Sequence, residues 1–268
     1  MTVPGKPPVG LEDLRALLAR LRGPQGCPWD RKQDSESLKI YLLEETYELA
    51  EALDRETTDD IREELGDLLF LMLFICRVYE EQEAFDLAQV METIQEKMIR
   101  RHPHVFGDAK WRKPEEVVRG WQGLKAEEKP EQSPFDSIPV ALPSLLKAHR
   151  LSQRAAGLGF DWPDIQGVLE KVREELAELE EAIEGGDRSA AQEELGDLLF
   201  ALVNLGRFLG IHGENALRQA NKKFLARFLT MLEEINSRNL DSKSLTPEGW
   251  ESLWNNSKLH SLPRQPSR

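Results

Sequence analysis

Leucine, isoleucine, valine and phenylalanine return every three or four residues along most of this chain, while the strict polar–apolar alternation of half-buried strands, with its Asn-Gly or Asp-Gly hairpin turns, is missing. A three-to-four spacing lays one apolar stripe along a helix, so the pattern predicts an all-α protein. Helices are expected at about 10–22, 36–55, 58–80 and 86–101, then at about 143–156, 165–184, 188–210 and 213–238. One stop and restart is explicit. In Glu184-Gly185-Gly186-Asp187 the glycines can leave a helix through a left-handed turn, and the aspartate can cap the helix that follows.

The pattern also repeats itself. The octet Glu63-Glu64-Leu65-Gly66-Asp67-Leu68-Leu69-Phe70 recurs unchanged as Glu193-Glu194-Leu195-Gly196-Asp197-Leu198-Leu199-Phe200, 130 positions later. At the same offset, Glu44-Glu45-x-x-Glu48-Leu49-x-Glu51-Ala52 matches Glu174-Glu175-x-x-Glu178-Leu179-x-Glu181-Ala182. Two blocks in one register imply a duplication rather than a chance likeness of acidic helices. Between the copies, the stretch from Lys129 to Pro139 holds three prolines and cannot continue a helix. The expected organisation is therefore two homologous helical domains of the four-helix type, residues 1–134 and 135–268.

Composition narrows what such a protein can bind. A formal charge of −13 and a pI near 5.0 argue against general nucleic-acid binding, which needs a clustered cationic face. A phosphorylated ligand would instead need a metal ion or a local cationic pocket. Cys27 and Cys76 are too few and too far apart for a zinc site or a disulfide framework, which suits a reducing, cytoplasmic setting. Met1 to Gly10 has no apolar signal core, and the longest apolar run, Leu68 to Cys76, is too short to span a bilayer, so no membrane partner is expected. No glycine-rich Walker lysine motif and no HExxH occurs.

The chemistry lies in the carboxylates. Glu175 and Glu178 stand three apart on one predicted helix, and Glu194 and Asp197 three apart on the next, so each pair shares a face. If those helices pack antiparallel, four acids can converge. Charges of one sign held that close call for a cation, and oxygen-only ligands select Mg²⁺, with Mn²⁺ as a substitute. Acidic helices also make ordinary solvated faces, which is how Glu180, Glu181 and Glu184 are read. Glu194 and Asp197 differ in sitting among Leu195, Leu198, Leu199 and Phe200, beside Gly196, whose missing side chain would let a backbone or ligand approach closely.

The order E-E-x-x-E, spacer, E-x-x-D is similar to the signature of the MazG family of all-α nucleoside triphosphate pyrophosphohydrolases. It occurs as Glu174-Glu175-x-x-Glu178 with Glu194-x-x-Asp197, and as Glu44-Glu45-x-x-Glu48 with Glu64-x-x-Asp67. Gly26-Cys27-Pro28-Trp29-Asp30, the segment from Arg100 to Gly107, and Gly159-Phe160-Asp161-Trp162 also resemble two-domain members. The resemblance spans about residues 11 to 258 and implies two tandem MazG domains, a homodimer, and Mg²⁺-dependent hydrolysis of NTPs and dNTPs at the α–β bond to nucleoside monophosphate and pyrophosphate. Carried over by position, it implies that Glu175, Glu178, Glu194 and Asp197 are the metal ligands of the main site. Glu174 or one of those ligands would serve as the base for the attacking water. Lys171, Lys223 and Arg227 would face the phosphates, and Trp254 would either stack on the base or anchor the C-terminal tail.

The first half keeps Glu45, Glu48, Glu64 and Asp67 as a possible second metal site, with Lys97 and Arg101 beside Lys223 and Arg227, and Trp121-x-x-x-Lys125 beside Trp254-x-x-x-Lys258. It has Tyr41 where the second half has Lys171. Trp29 and Trp162 are expected as core anchors, and His102 and His104 as parts of a proline-fixed turn against Phe106. Two other readings compete. A di-iron bundle would need Glu-x-x-His pairs, which neither half has. A nonenzymatic Mg²⁺–nucleotide sensor would use the same acids and cations without turnover.

Overall fold

The structure is a computed structural model describing residues 10–128 and 133–260, and only helices, turns and loops occur among them. The chain divides into two compact units, one ending at Glu128 and one beginning at Lys129. In the first, α1 (Leu11–Arg22) is followed by a 3-10 turn, then α2 (Ser35–Arg55), α3 (Thr58–Glu81), α4 (Leu87–Arg101), the single-turn α5 (Pro103–Phe106) and α6 (Pro114–Glu128). The second runs through α7 (Ser144–Gly157), α8 (Ile165–Glu184), α9 (Arg188–Phe208), α10 (Gly213–Ser237), a 3-10 turn and α11 (Pro247–His260).

Short polar side chains set the starts of these helices. Asp34 accepts the backbone N–H of Ser37 at 2.9 Å, and Ser37 accepts that of Asp34, closing a reciprocal cap on α2. Asp86 and Gln89 do the same for α4. Asp164 caps α8 and Asp187 caps α9, as the restart after Gly186 leads one to expect. The turn between α8 and α9 is left-handed at Gly186, with φ +72°; the matching turn between α2 and α3 is left-handed at Glu56, with φ +56°.

The eight helices expected from periodicity are present, but α9 stops at Phe208, two residues early, and Gly210 turns the chain at φ +70°. The sequence reading missed α5, α6 and α11. The two longer ones open with a proline in their first turn, and in α6 Glu115 and Glu116 follow it, a start signal independent of apolar periodicity.

In the first unit α2, α1 and α4 all pack on α3. Leu18, Leu38, Leu71, Leu73, Phe74, Val78 and Leu87 fill the space between them. In the second unit α8 and α7 pack on α9, and α10 packs on α7, α9 and α11. Here the same register carries smaller or polar side chains: Val168 for Leu38, Ala201 for Leu71, Val203 for Leu73, and Asn204 for Phe74, all buried. A separate apolar cluster of Met231, Ile235 and Leu253, flanked by Phe228 and Trp250, joins α10 to α11. Arginines fasten the loops: Arg22 binds Glu81 and donates to the carbonyls of Asp30 and Gln33, and Arg207 grips Asp161 with both terminal nitrogens.

Candidate metal and nucleotide site

Antiparallel packing of α8 on α9 brings the expected acids together. Carboxylate oxygens of Glu175, Glu194 and Asp197 lie within 4.8 Å of one another, as do those of Glu174, Glu175 and Glu178. Glu175 belongs to both groups and is only 4% exposed; Glu194 is half-buried, and Glu178 and Asp197 form the rim. Burial, followed by the charges of Glu178, Glu175 and Asp197, raises the carboxyl of Glu194 above its ordinary range. Lys171 supplies the local countercharge, its Nζ 2.6 Å from both Glu174 and Glu175; the bond to Glu174 is the largest cause of its raised pKa.

The first unit repeats the arrangement between α2 and α3. Oxygens of Glu45, Glu48 and Glu64 lie within 4.8 Å of one another. Asp67 is close enough to join Glu48 in raising both Glu45 and Glu64, for which burial is the leading cause. Both clusters suit a hard divalent ion. Octahedral Mg²⁺ with bonds of about 2.1 Å spans oxygens up to about 4.2 Å apart, within small side-chain adjustments of this spacing. The donors are oxygen only.

The remaining expected residues stand on other elements. Lys223 and Arg227 lie on α10 and Trp254 on α11, and no ion pair or hydrogen bond joins them to the acids of α8 and α9 among the described residues. Arg227 and Lys258 instead flank the Trp254 ring at 5.6 and 6.0 Å, with Phe224 at 5.5 Å. The first unit builds the same stack from Arg101, Trp121 and Lys125.

Four expectations need correction. The apolar neighbours of Glu194 and Asp197 do not enclose them: Leu195, Leu199 and Phe200 are exposed, because they lie on the face of α9 left uncovered in this chain. Gly196 faces open space, so the close approach its missing side chain permits is not made by this chain. Trp29 is 52% exposed rather than a core anchor; its ring meets Tyr41 edge-on at 5.8 Å, and the two line a hollow with Glu45, Asp67 and Phe70. His102 and His104 pack near Trp121 and Trp111, while Phe106 is exposed. The hollow escaped the sequence reading because Trp29 and Tyr41 meet across a loop, with no periodic signal to link them.

Comparison with known proteins agrees with this architecture. A family model described as the MazG nucleotide pyrophosphohydrolase domain matches residues 33–106 and again 164–229, one match on each acid cluster. The chain is 45% identical over 249 residues to the nucleoside triphosphate pyrophosphohydrolase/pyrophosphatase MazG of Thermotoga maritima, covering 92% of this chain and 95% of that one. It is 41% identical over 258 residues to the nucleoside triphosphate pyrophosphohydrolase of Escherichia coli K12, covering 94% and 98%. The uncharacterised protein YabN of Bacillus subtilis is 42% identical across 91% of this chain, which corresponds to 50% of its own length. The twice-matched domain and the near-complete overlap with these relatives place this chain in the MazG nucleotide pyrophosphohydrolase family.

Proposed function

We propose that this protein is a Mg²⁺-dependent nucleoside triphosphate pyrophosphohydrolase that cuts NTPs and dNTPs at the α–β bond, releasing the monophosphate and pyrophosphate, and that its working site lies between α8 and α9. The observation that carries this reading is the meeting of Glu174, Glu175, Glu178, Glu194 and Asp197 around one buried carboxylate, with Lys171 as the nearby cation. The names of the relatives support the substrate class.

Glu175, Glu178, Glu194 and Asp197 would hold the ion. Bound there, such an ion would supply countercharge for the phosphates and Lewis acidity toward water. Packing of α8 on α9 fixes the acids before substrate arrives, so little reorganisation is left for the reaction itself. Lys171 is engaged by Glu174 and Glu175 in the structure. Once those charges are met elsewhere, its ammonium can turn to a phosphate oxygen and leave Glu174 free to take a proton from water. Lys223 and Arg227 add cations for the outer phosphates, and Trp254 offers an indole face to the base.

The exposed apolar residues Leu195, Leu199 and Leu202 of α9, with Leu217, Phe224, Leu225 and Leu229 of α10, support a homodimer that covers them. Free Cys27 and Cys76 fit a cytoplasmic setting, and no single helix among the described residues is long and apolar enough to cross a membrane.

The test is product analysis on a panel of NTPs and dNTPs with Mg²⁺, comparing the intact protein with Glu178→Ala and Glu48→Ala. Equimolar monophosphate and pyrophosphate, lost with Glu178→Ala and retained with Glu48→Ala, is the expected result. Loss with Glu48→Ala alone would move the reaction to the first unit. Metal-dependent nucleotide binding without turnover would replace the enzyme by a sensor.

A further inference from the structure

Each unit brings two cations to within about 6 Å of one indole, at nearly the same distances. Arg227 and Lys258 lie 5.6 and 6.0 Å from the Trp254 ring; Arg101 and Lys125 lie 5.8 and 5.3 Å from that of Trp121. What the guanidinium does with its fork differs. In the second unit the Nε of Arg227 is buried and has no hydrogen-bond partner among the described residues. Such a donor is costly to leave unpaired, and its fork matches two oxygens of a phosphate. In the first unit the fork is filled from within. Glu128, the last residue of α6, accepts Arg101 Nη2 at 2.5 Å and Nε at 3.1 Å, and also accepts Arg100 Nε at 2.9 Å.

Two carboxylate oxygens on one guanidinium present the same planar, bidentate face as a phosphate. The Arg101 and Glu128 side chains are 13% and 19% exposed, so the pair is partly withdrawn from water. Glu128 stands seven positions after Trp121; the residue seven after Trp254 is Ser261, which has no charge to offer and lies outside the described residues. The difference between the units is therefore written into the sequence.

We infer that Arg100, Arg101, Trp121 and Lys125 form a polyphosphate-binding seat in the first unit, and that Glu128 is a built-in carboxylate occupying it. The inference rests on the proposed phosphate role of the matching Arg227 and Trp254. Arg101 first, with Arg100, holds the Glu128 carboxyl down at about 2, so the occupant keeps its charge at ordinary pH. It gives way only to an anion of higher charge. The first unit accordingly binds polyphosphate more weakly than the second, for a reason separate from its acid cluster.

The test follows the indole N–H resonances of Trp121 and Trp254 in the full chain, assigned with Trp121→Phe and Trp254→Phe, while inorganic tripolyphosphate is added. In the native protein Trp254 is expected to respond first, and Trp121 only at concentrations roughly tenfold higher or more, equivalent to about 1.4 kcal/mol or more. In Glu128→Gln, and in Glu128→Ser, which copies the second unit, Trp121 should respond in the same range as Trp254. Equal sensitivity of the two indoles in the native protein would overturn the inference. So would an unmoved Trp121 in variants whose circular dichroism shows them folded, or unfolding of both variants, which would make Glu128 a structural strut. If Trp254 stays silent throughout while Trp121 responds in Glu128→Gln, the seat stands and the proposed phosphate role of Arg227 falls.

Discussion

The two units share an acid constellation but not a core. Where the first buries Phe74 at 1% exposure, the second buries Asn204 at 0%, and Leu71 is answered by Ala201. Asn204 is held by polar bonds, donating to the Phe200 carbonyl at 3.2 Å and accepting from Arg207. The duplicated acids thus survived a change in the interior around them. What was kept in register is the pair of acid clusters. Exposed apolar residues do not separate the units: Leu65, Leu69 and Met72 of α3 are as open as Leu195, Leu199 and Leu202 of α9.

This contrast can be broken in order of size. The largest effect is expected at the interior: Phe74→Ala should cost about 3–5 kcal/mol, and Asn204→Ala about 1–3 kcal/mol, in urea unfolding of the full chain. Equal costs would mean that the two interiors are equivalent after all. Next, Glu194→Ala should lower kcat by about 10²–10³-fold, as loss of one preorganised charged group does, with Glu64→Ala costing far less. Pyrophosphate release under saturating NTP reads this directly, and similar losses would make the units equal partners in turnover. Lys171→Met should cost about tenfold in kcat/KM, the worth of roughly one charge-assisted bond. Should Tyr41→Lys in the first unit raise activity, Lys171 would be confirmed as the residue that separates the two sites.

A smaller effect is the pH dependence that His149 gives the second unit. Burial first, then His212, Arg150 and Arg207, lowers the pKa of His149 below its ordinary 6.5; Arg207 is itself paired with Asp161, and the His149 and His212 rings lie 4.4 Å apart. The folded state therefore refuses a proton that the unfolded chain accepts. This contribution is present above the ordinary pKa and is lost as pH falls through the depressed one. Thermal melts should show a Tm a few degrees lower near pH 5 than near pH 7.5. His149→Gln should flatten that slope, and an unchanged slope would assign it to the carboxylates instead.

Much of this was legible in the sequence, for identifiable reasons. The acids at 45, 48, 64 and 67, and their counterparts at 175, 178, 194 and 197, follow from helical spacing plus the internal repeat, because a helix converts sequence distance into a shared face. The long helices followed from the same periodicity. Contacts made between elements did not. Glu128 reaches Arg101 from another helix, and Trp29 reaches Tyr41 from a loop, so neither has a spacing to betray it. The exposure of Leu195 and Leu199 was misjudged for a related reason: an apolar stripe announces that a face will be covered, without saying by which chain.

The left-handed turn after α2 has a practical consequence. Glu56 holds it with φ +56°, while the second unit uses Gly186 at φ +72° for the same corner. A side chain in that conformation costs about 1–2 kcal/mol, partly offset by the greater freedom glycine would lose on folding. Transplanting the glycine, as Glu56→Gly, should therefore stabilise the first unit by roughly 0.5–1 kcal/mol. A duplicated protein in this way serves as its own source of engineering variants, each copy having already tried a different residue at the corner they share.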